Sequence, residues 1–167
     1  FQKNSRQLLE KRNKRIRPQL DDKIILGWNA LMHTACSKAF AATGNKKFRQ
    51  LAIENMHFLL QNFSASSPGE FYHTWKNEKA KYPAFLDDYA FLIQAMIHLQ
   101  EITGDTGWLT RAAAITRYVI DHFSEETTPF FFYTSDGQTD LIVRKKEVYD
   151  GAVPSGNSVM AYNLYQL

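Results

Sequence analysis

Ala42-Thr43-Gly44-Asn45-Lys46-Lys47-Phe48 and Ile102-Thr103-Gly104-Asp105-Thr106-Gly107-Trp108 carry one turn twice, sixty residues apart. In each copy a Thr-Gly pair ends one apolar-periodic segment, and a second segment begins within four residues. Glycine just past the last helical position is a helix stop, because it takes a left-handed backbone without a Cβ clash. Before the first copy, Ile25, Trp28, Leu31, Met32, Ala35, Ala39 and Ala42 recur at helical spacing. After it come Phe48, Leu51, Ala52, Met56, Leu59, Leu60 and Phe63. The second copy is flanked by Phe85, Tyr89, Leu92, Ile93, Met96 and Ile97, and by Trp108, Ala112, Ile115, Val119, Ile120 and Phe123. Each copy is therefore predicted to be a helical hairpin.

The offset extends beyond the turn. Glu70-Phe71-Tyr72-His73-Thr74 matches Phe130-Phe131-Phe132-Tyr133-Thr134, which predicts a short aromatic strand in each long loop. A third unit opens at Pro154-Ser155-Gly156-Asn157 and runs helically to Leu164. A hairpin cannot bury both faces alone, so neighbours must stack. Units this long, with long loops on one side, do not fit the common short helical repeats of ~34–47 residues. The predicted fold class is all-α: an α/α toroid with short β-hairpins in the long loops. About two and a half hairpins do not close a ring, and the chain does not begin with Met. It is accordingly expected to be an incomplete arc, an interior piece of a larger toroid. Residues 1–20 form a basic lead-in segment and 21–167 the partial toroid.

Composition excludes other classes. With 44% hydrophobic residues the chain can build a packed core, which rules out intrinsic disorder. No apolar run is long enough to span a membrane, and the first ten residues hold no apolar leader. Residues 1–17 carry net +6 while the whole chain carries +3, leaving the rest at −3. The basic character belongs to one solvated segment, so no nucleic-acid partner and no membrane partner are expected. The single cysteine, Cys36, can form neither an internal disulfide nor a cysteine cage for metal. It fits a reducing compartment, and a cytoplasmic location is expected. Helical His33, His57, His98 and His122 lack a second ligand at metal-like spacing, so no metal and no cofactor are expected.

The tight Thr-Gly turns lie on one rim. The other rim gathers the long loops, 64–84 and 124–154, with the helix starts near 23, 85 and 155. Rigidly held irregular loops are where binding residues collect. Carboxylates beside aromatic faces are what a sugar cleft needs, since rings stack on the apolar sugar face and carboxylates move protons or hold hydroxyls. The catalytic candidates are Asp22, Asp87, Asp88 and Asp150. The substrate-binding candidates are Trp28, Asn29, His73, Trp75, Tyr89, Arg144, Ser155 and Asn157. N-capping accounts for one member of Asp21/Asp22 and of Asp87/Asp88. Trp28 and Tyr89, one turn into their helices, suit either core or stacking roles.

Three blocks carry a resemblance: Asp21 to Ile25 with Trp28 to Met32; Phe85-Leu86-Asp87-Asp88-Tyr89-Ala90-Phe91-Leu92-Ile93; and Tyr149-Asp150-Gly151-Ala152-Val153-Pro154-Ser155-Gly156-Asn157-Ser158. They resemble the C-terminal region of the spermatogenesis-associated, thioredoxin-domain-containing family. Two small departures occur, Ala30 after Trp28-Asn29 where glycine is usual, and Lys145 after Arg144 where proline is usual. The resemblance implies an α/α toroid similar to the six-hairpin glycosidases and the N-acylglucosamine 2-epimerases, in a longer parent with a thioredoxin-like domain. It implies carbohydrate binding or processing, glycosidase- or epimerase-like, in the full-length protein. The alternative is a non-catalytic scaffold that docks a partner for that thioredoxin-like domain. A third expectation is that the 167 residues alone are inactive, their cleft being formed jointly with further hairpins of the toroid. An open arc exposes apolar helix faces, so self-association is also expected.

Overall fold

The computed structural model describes residues 2–138 and 142–167. Its elements are α1 (Gln2–Asn13), β1 (Ile24–Ile25), α2 (Leu26–Thr43), α3 (Lys46–Phe63), β2 (Tyr72–Lys76), β3 (Lys79–Pro83), α4 (Leu86–Thr103), α5 (Gly107–Phe123) and α6 (Gly156–Gln166). The sixty-residue offset survives in the helices, because α2 and α4 start and stop at equivalent positions. Gly44 and Gly104 sit at φ 66° and 74°, and their N–H groups donate to Phe40 O and Gln100 O at 2.8 Å. These left-handed caps are why the two Thr-Gly turns read so clearly.

The central helix is α4, packed against α2, α5 and α6. Leu86 and every residue from Asp88 to Ile93 are buried, which leaves α4 without a solvent stripe over its first two turns. The outer helices α3 and α5 bury single faces: Ala52, Met56, Leu59 and Phe63 on α3, and Ala112, Ile115, Val119 and Phe123 on α5. This is the layering of an α/α toroid, with inner helices side by side and outer helices returning. Basic α1 is solvated over its described side chains and carries an Arg6–Glu10 pair one turn apart.

Two expectations about the loops need correction. Asp21 and Asp22 do not cap α2. The β-branched pair Ile24-Ile25 is drawn into an antiparallel ladder with β2, Ile24 opposite Trp75 and Ile25 opposite Thr74, so Ile25 occupies the N-cap position. The second aromatic stretch, 130–134, is not a strand. No hairpin partner faces it among the described residues, and its backbone is held one bond at a time: Phe132 N to Phe123 O, Tyr133 N to Lys145 O, and Leu86 N to Tyr133 O. The first stretch does form a hairpin, β2 against β3, closed by Asn77-Glu78. Both residues have positive φ (51° and 58°), the backbone of a two-residue turn that matches strand twist.

Candidate functional site at the helix starts

Three helix starts meet at two consecutive carboxylates. Asp88, in the first turn of α4, is 2% exposed, and its oxygens accept three hydrogen bonds. Oδ1 takes Gly27 N of α2 at 2.8 Å, while Oδ2 takes Phe85 N at 3.0 Å and His73 Nδ1 at 2.7 Å. Asp87 turns the other way, and its Oδ1 accepts Gly156 N of α6 at 2.8 Å. Each carboxylate thus compensates the positive end of a neighbouring helix. The pair ties α2, α4 and α6 together on one rim.

Both glycines are there for space. A Cβ on Gly156 would lie 2.5 Å from Asp87 Oδ1 and 2.8 Å from Leu86 Cγ, and one on Gly27 would lie 2.9 Å from Asp88 Oδ1. Gly156→Ala is therefore expected to cost about 2 kcal/mol through forced displacement, lowering Tm by roughly 4–8 °C. A thermal melt within 1 °C of the parent, on the order of the noise expected for a neutral surface change, would show that α6 shifts at no cost.

The environment sets the proton chemistry. The hydrogen bond to Asp88 raises the His73 imidazole above its ordinary value, against burial and the nearby Lys23 charge. With Nδ1 committed to Asp88, Nε2 has no protein partner among the described residues. Burial pushes Asp87 up to about 6 against the lowering effect of the Gly156 N–H, helped by the charges of Asp88 and Glu147. Phe85 lies between two rings, His73 at 4.9 Å and Tyr133 stacked at 4.9 Å and 13°. Burial, then the charges of Asp87 and Asp88, push the Tyr133 hydroxyl up to about 12, so at neutral pH it is a proton donor. Among the described residues no group of three or more His, Cys, Asp or Glu is placed to hold a metal.

The structure joins Asp88 to His73, with Asp87 next to them in the chain and turned to Gly156. It sends most of the other candidates to structural posts. Tyr89 is core, 2% exposed, accepting Phe71 N at 3.1 Å and packed on Phe71, Tyr118 and Phe123, so it offers no ring to a ligand. Arg144 donates to Thr134 O and His122 O and lies 4.1 Å over the Phe132 ring, which uses its guanidinium to hold the loop. Asn157 is buried and clamps Phe131 N, Phe131 O and Glu147 O. Ser155 caps α6 by accepting Ser158 N, and Asp150 accepts Ser155 N and the Ser158 hydroxyl, bonds that hold its carboxyl below the usual range. Asp22 is exposed and paired to Lys76 at 2.5 Å, with its carboxyl held low by that bond. Asn29 donates to Ile25 O, and Trp75 is half-buried against Phe58. Trp28 remains open to solvent, 69% exposed.

Sequence reasoning did not single out Tyr133, Phe85, Glu147 or the two spacing glycines. For Tyr133 the signal was present: the sixty-residue offset makes it the counterpart of His73, and both rings pack on Phe85.

Residues 22–149 match the family model of N-acylglucosamine 2-epimerase (GlcNAc 2-epimerase). The chain belongs to that family. Among curated proteins this epimerase-family chain is similar to rat spermatogenesis-associated protein 20, 30% identical over 170 residues, which cover 96% of the chain and 21% of that protein. The human protein of the same name is 28% identical over 178 residues, covering 96% and 22%. The chain spans about a fifth of the length of these relatives, and the family resemblance read from its three motif blocks is confirmed. Among solved structures it resembles cellobiose 2-epimerase from Bacillus thermoamylovorans, with TM-score 0.61, 10% identity, and 67% and 32% of the two chains covered. A family 105 glycoside hydrolase from C. acetobutylicum gives TM-score 0.68, 13% identity, and 87% and 42% coverage. At such identities the likeness is one of fold, and that fold is the α/α toroid.

Proposed function

We propose that the rim around Asp87, Asp88 and His73 is a saccharide site in the parent protein, where His73 and Asp87 exchange protons with the sugar. The observation that carries this is that consecutive carboxylates at the start of α4 leave one acid with a raised pKa, Asp87, and one hydrogen-bonded to an imidazole, Asp88. Asp87 is lifted to about 6 by burial, while the bond from Asp88 raises His73 and engages its Nδ1, leaving Nε2 without a hydrogen-bond partner among the described residues. General acid–base catalysis is most efficient with groups of this kind. Asp88 is a positioning residue here, since it fixes the His73 tautomer and ring orientation. Membership of the N-acylglucosamine 2-epimerase family, with neighbours that include an epimerase and a glycoside hydrolase, supports carbohydrate processing. An epimerase reading asks the two groups to remove a proton from a sugar carbon and return one to its other face. A glycosidase reading asks one of them to protonate a leaving oxygen.

The test is incubation of aldoses and aryl glycosides with the protein in deuterated buffer, followed by proton NMR. Loss of the C2 proton signal marks epimerase chemistry, and aglycone release marks hydrolysis. Asp87→Asn is expected to lower either rate roughly a hundredfold and to remove the limb of the pH profile near 6. If no sugar exchanges, hydrolyses or raises Tm, the saccharide reading fails.

The second reading is a docking scaffold for a thioredoxin-like domain or another protein. The exposed apolar residues Trp28 and Met32 on α2, with Tyr162 and Tyr165 on α6, favour it. These faces also support self-association of the 167-residue chain, for which sedimentation showing only monomer would be the contrary result.

A further inference from the structure

We propose that the lysine-lined cleft on the three-stranded sheet is a second saccharide subsite, built for the anionic group of an acidic sugar such as a uronate. The cleft has a volume of about 570 Å³; Lys23, Lys76, Lys79, Lys81 and Tyr82 line it, and so does one carboxylate, Asp21. Two of the four ammonium groups are matched, Lys23 by Asp21 at 2.9 Å and Lys76 by Asp22 at 2.5 Å. Lys79 and Lys81 have no carboxylate partner among the described residues, so the cleft keeps two uncompensated positive charges.

Edge strands often carry lysine to discourage pairing with other chains, and that accounts for one lysine on β3. It does not account for a second exposed lysine, Lys81, two residues on from Lys79 and on the same strand face. Lys76, opposite Lys79 across the ladder, is already answered by Asp22, so the charge left for a ligand anion is that of Lys79 and Lys81. Tyr82 points the same way. The turn explains the positive φ of Asn77 and Glu78, but Tyr82, at φ 62°, lies beyond it. Its ring is 65% exposed at the cleft, and strained backbone of this kind concentrates at binding sites. An exposed phenol ring beside ammonium groups suits a sugar that is apolar on one face and anionic at one end.

A saccharide is favoured over a nucleic acid because the charges converge on one pocket of ligand size instead of tracking along a surface. The ladder pairs Tyr72 with Pro83 and Thr74 with Lys81, so Tyr82 stands opposite His73. Lys23 is near enough to hold down the proton affinity of His73. The subsite therefore adjoins the rim and rests on its saccharide reading.

The experiment titrates the 167-residue chain with trigalacturonate, neutral cellotriose and a single-stranded oligonucleotide, at low and high salt. The parent is compared with the doubly substituted Lys79→Gln/Lys81→Gln chain and with Asp87→Asn. Both lysines are exposed, so the double variant should keep the parental Tm. The expected result is salt-sensitive trigalacturonate binding that weakens roughly tenfold in the double variant, with cellotriose unaffected. Equal affinity for acidic and neutral trisaccharides, or no effect of the lysine substitutions, overturns the subsite while leaving the rim reading standing. Oligonucleotide binding as tight as trigalacturonate overturns it in favour of a general polyanion surface. Lysine-dependent trigalacturonate binding combined with wild-type sugar turnover in Asp87→Asn supports the subsite and counts against the rim chemistry. No binding of either sugar overturns both.

Discussion

Asp88→Ala is expected to destabilise the chain by about 3–5 kcal/mol, because it strips the acceptor from three donors at once. Gly27 N would lose its partner at a buried position and Phe85 N at a part-buried one, and His73 would lose the group that holds its Nδ1 proton. At this chain length the melting temperature should fall by roughly 6–20 °C. Asp88→Asn retains an oxygen acceptor but turns an amide N–H₂ toward one of the three donors, so it should lose about half as much. It should also return the His73 titration, followed by NMR, toward the ordinary imidazole value of about 6.5. That NMR shift separates a positioning role from a merely structural one, since a structural role alone would leave the titration of His73 unmoved. A melt of Asp88→Ala within a degree or so of the parent, as on the order of a neutral surface change, would refute this account of the rim.

The second large effect is acid lability set by one buried imidazole. His33 on α2 is 0% exposed, and neither ring nitrogen has a partner among the described residues. Burial, then the neighbouring His98 on α4, lowers its pKa from 6.5 to about 4. His98 itself is bonded through Nδ1 to Glu101 at 2.7 Å. The unfolded chain therefore takes up a proton at His33 as pH falls through 6.5, whereas the folded chain resists until about 4. Stability conferred by neutral His33 is full above pH 6.5 and is lost progressively toward 4, by about 3 kcal/mol.

Asp87 and His73 slope the other way. The raised pKa of Asp87 costs stability as pH rises from 3.8 to about 6. The bond that raises His73 stabilises below its unfolded value and fades as pH climbs through the folded one. The measurement is therefore a difference between the parent and His33→Met, by urea melts across this range. The variant should gain on the parent by about 3 kcal/mol between neutral pH and 4. Parallel curves would mean that His33 is hydrated in solution and titrates as an ordinary imidazole.

Local signals carried the architecture. The Thr43-Gly44 and Thr103-Gly104 stops depend on one left-handed residue each, and the flanking apolar periodicity on helix geometry, so both were legible along the chain. Capping was only half legible. Asp88 does bond Phe85 N, as an acid in a first turn should, yet the same carboxylate also reaches Gly27 and His73. Nothing in the local pattern distinguishes a cap from a hub. Arg144, Asn157, Ser155 and Asp150 show the converse. Their side chains looked available for a sugar, but an irregular loop has backbone groups that must be paired, and these four residues pair them.

The sequence by itself determined the all-α repeat, the hairpin boundaries and the rim on which polar residues collect, because each rests on interactions within a few residues. Only the tertiary structure decided which carboxylates share a site, that Tyr89 is core, that Tyr133 stands beside His73 across Phe85, and that Gly27 and Gly156 are spacers. The glycine spacers turn on atoms from helix starts more than sixty residues apart meeting within 3 Å, and the others on rings that meet only once the chain has folded. Burial, which sets the charge of Asp87 and His33, exists only once those helices have packed.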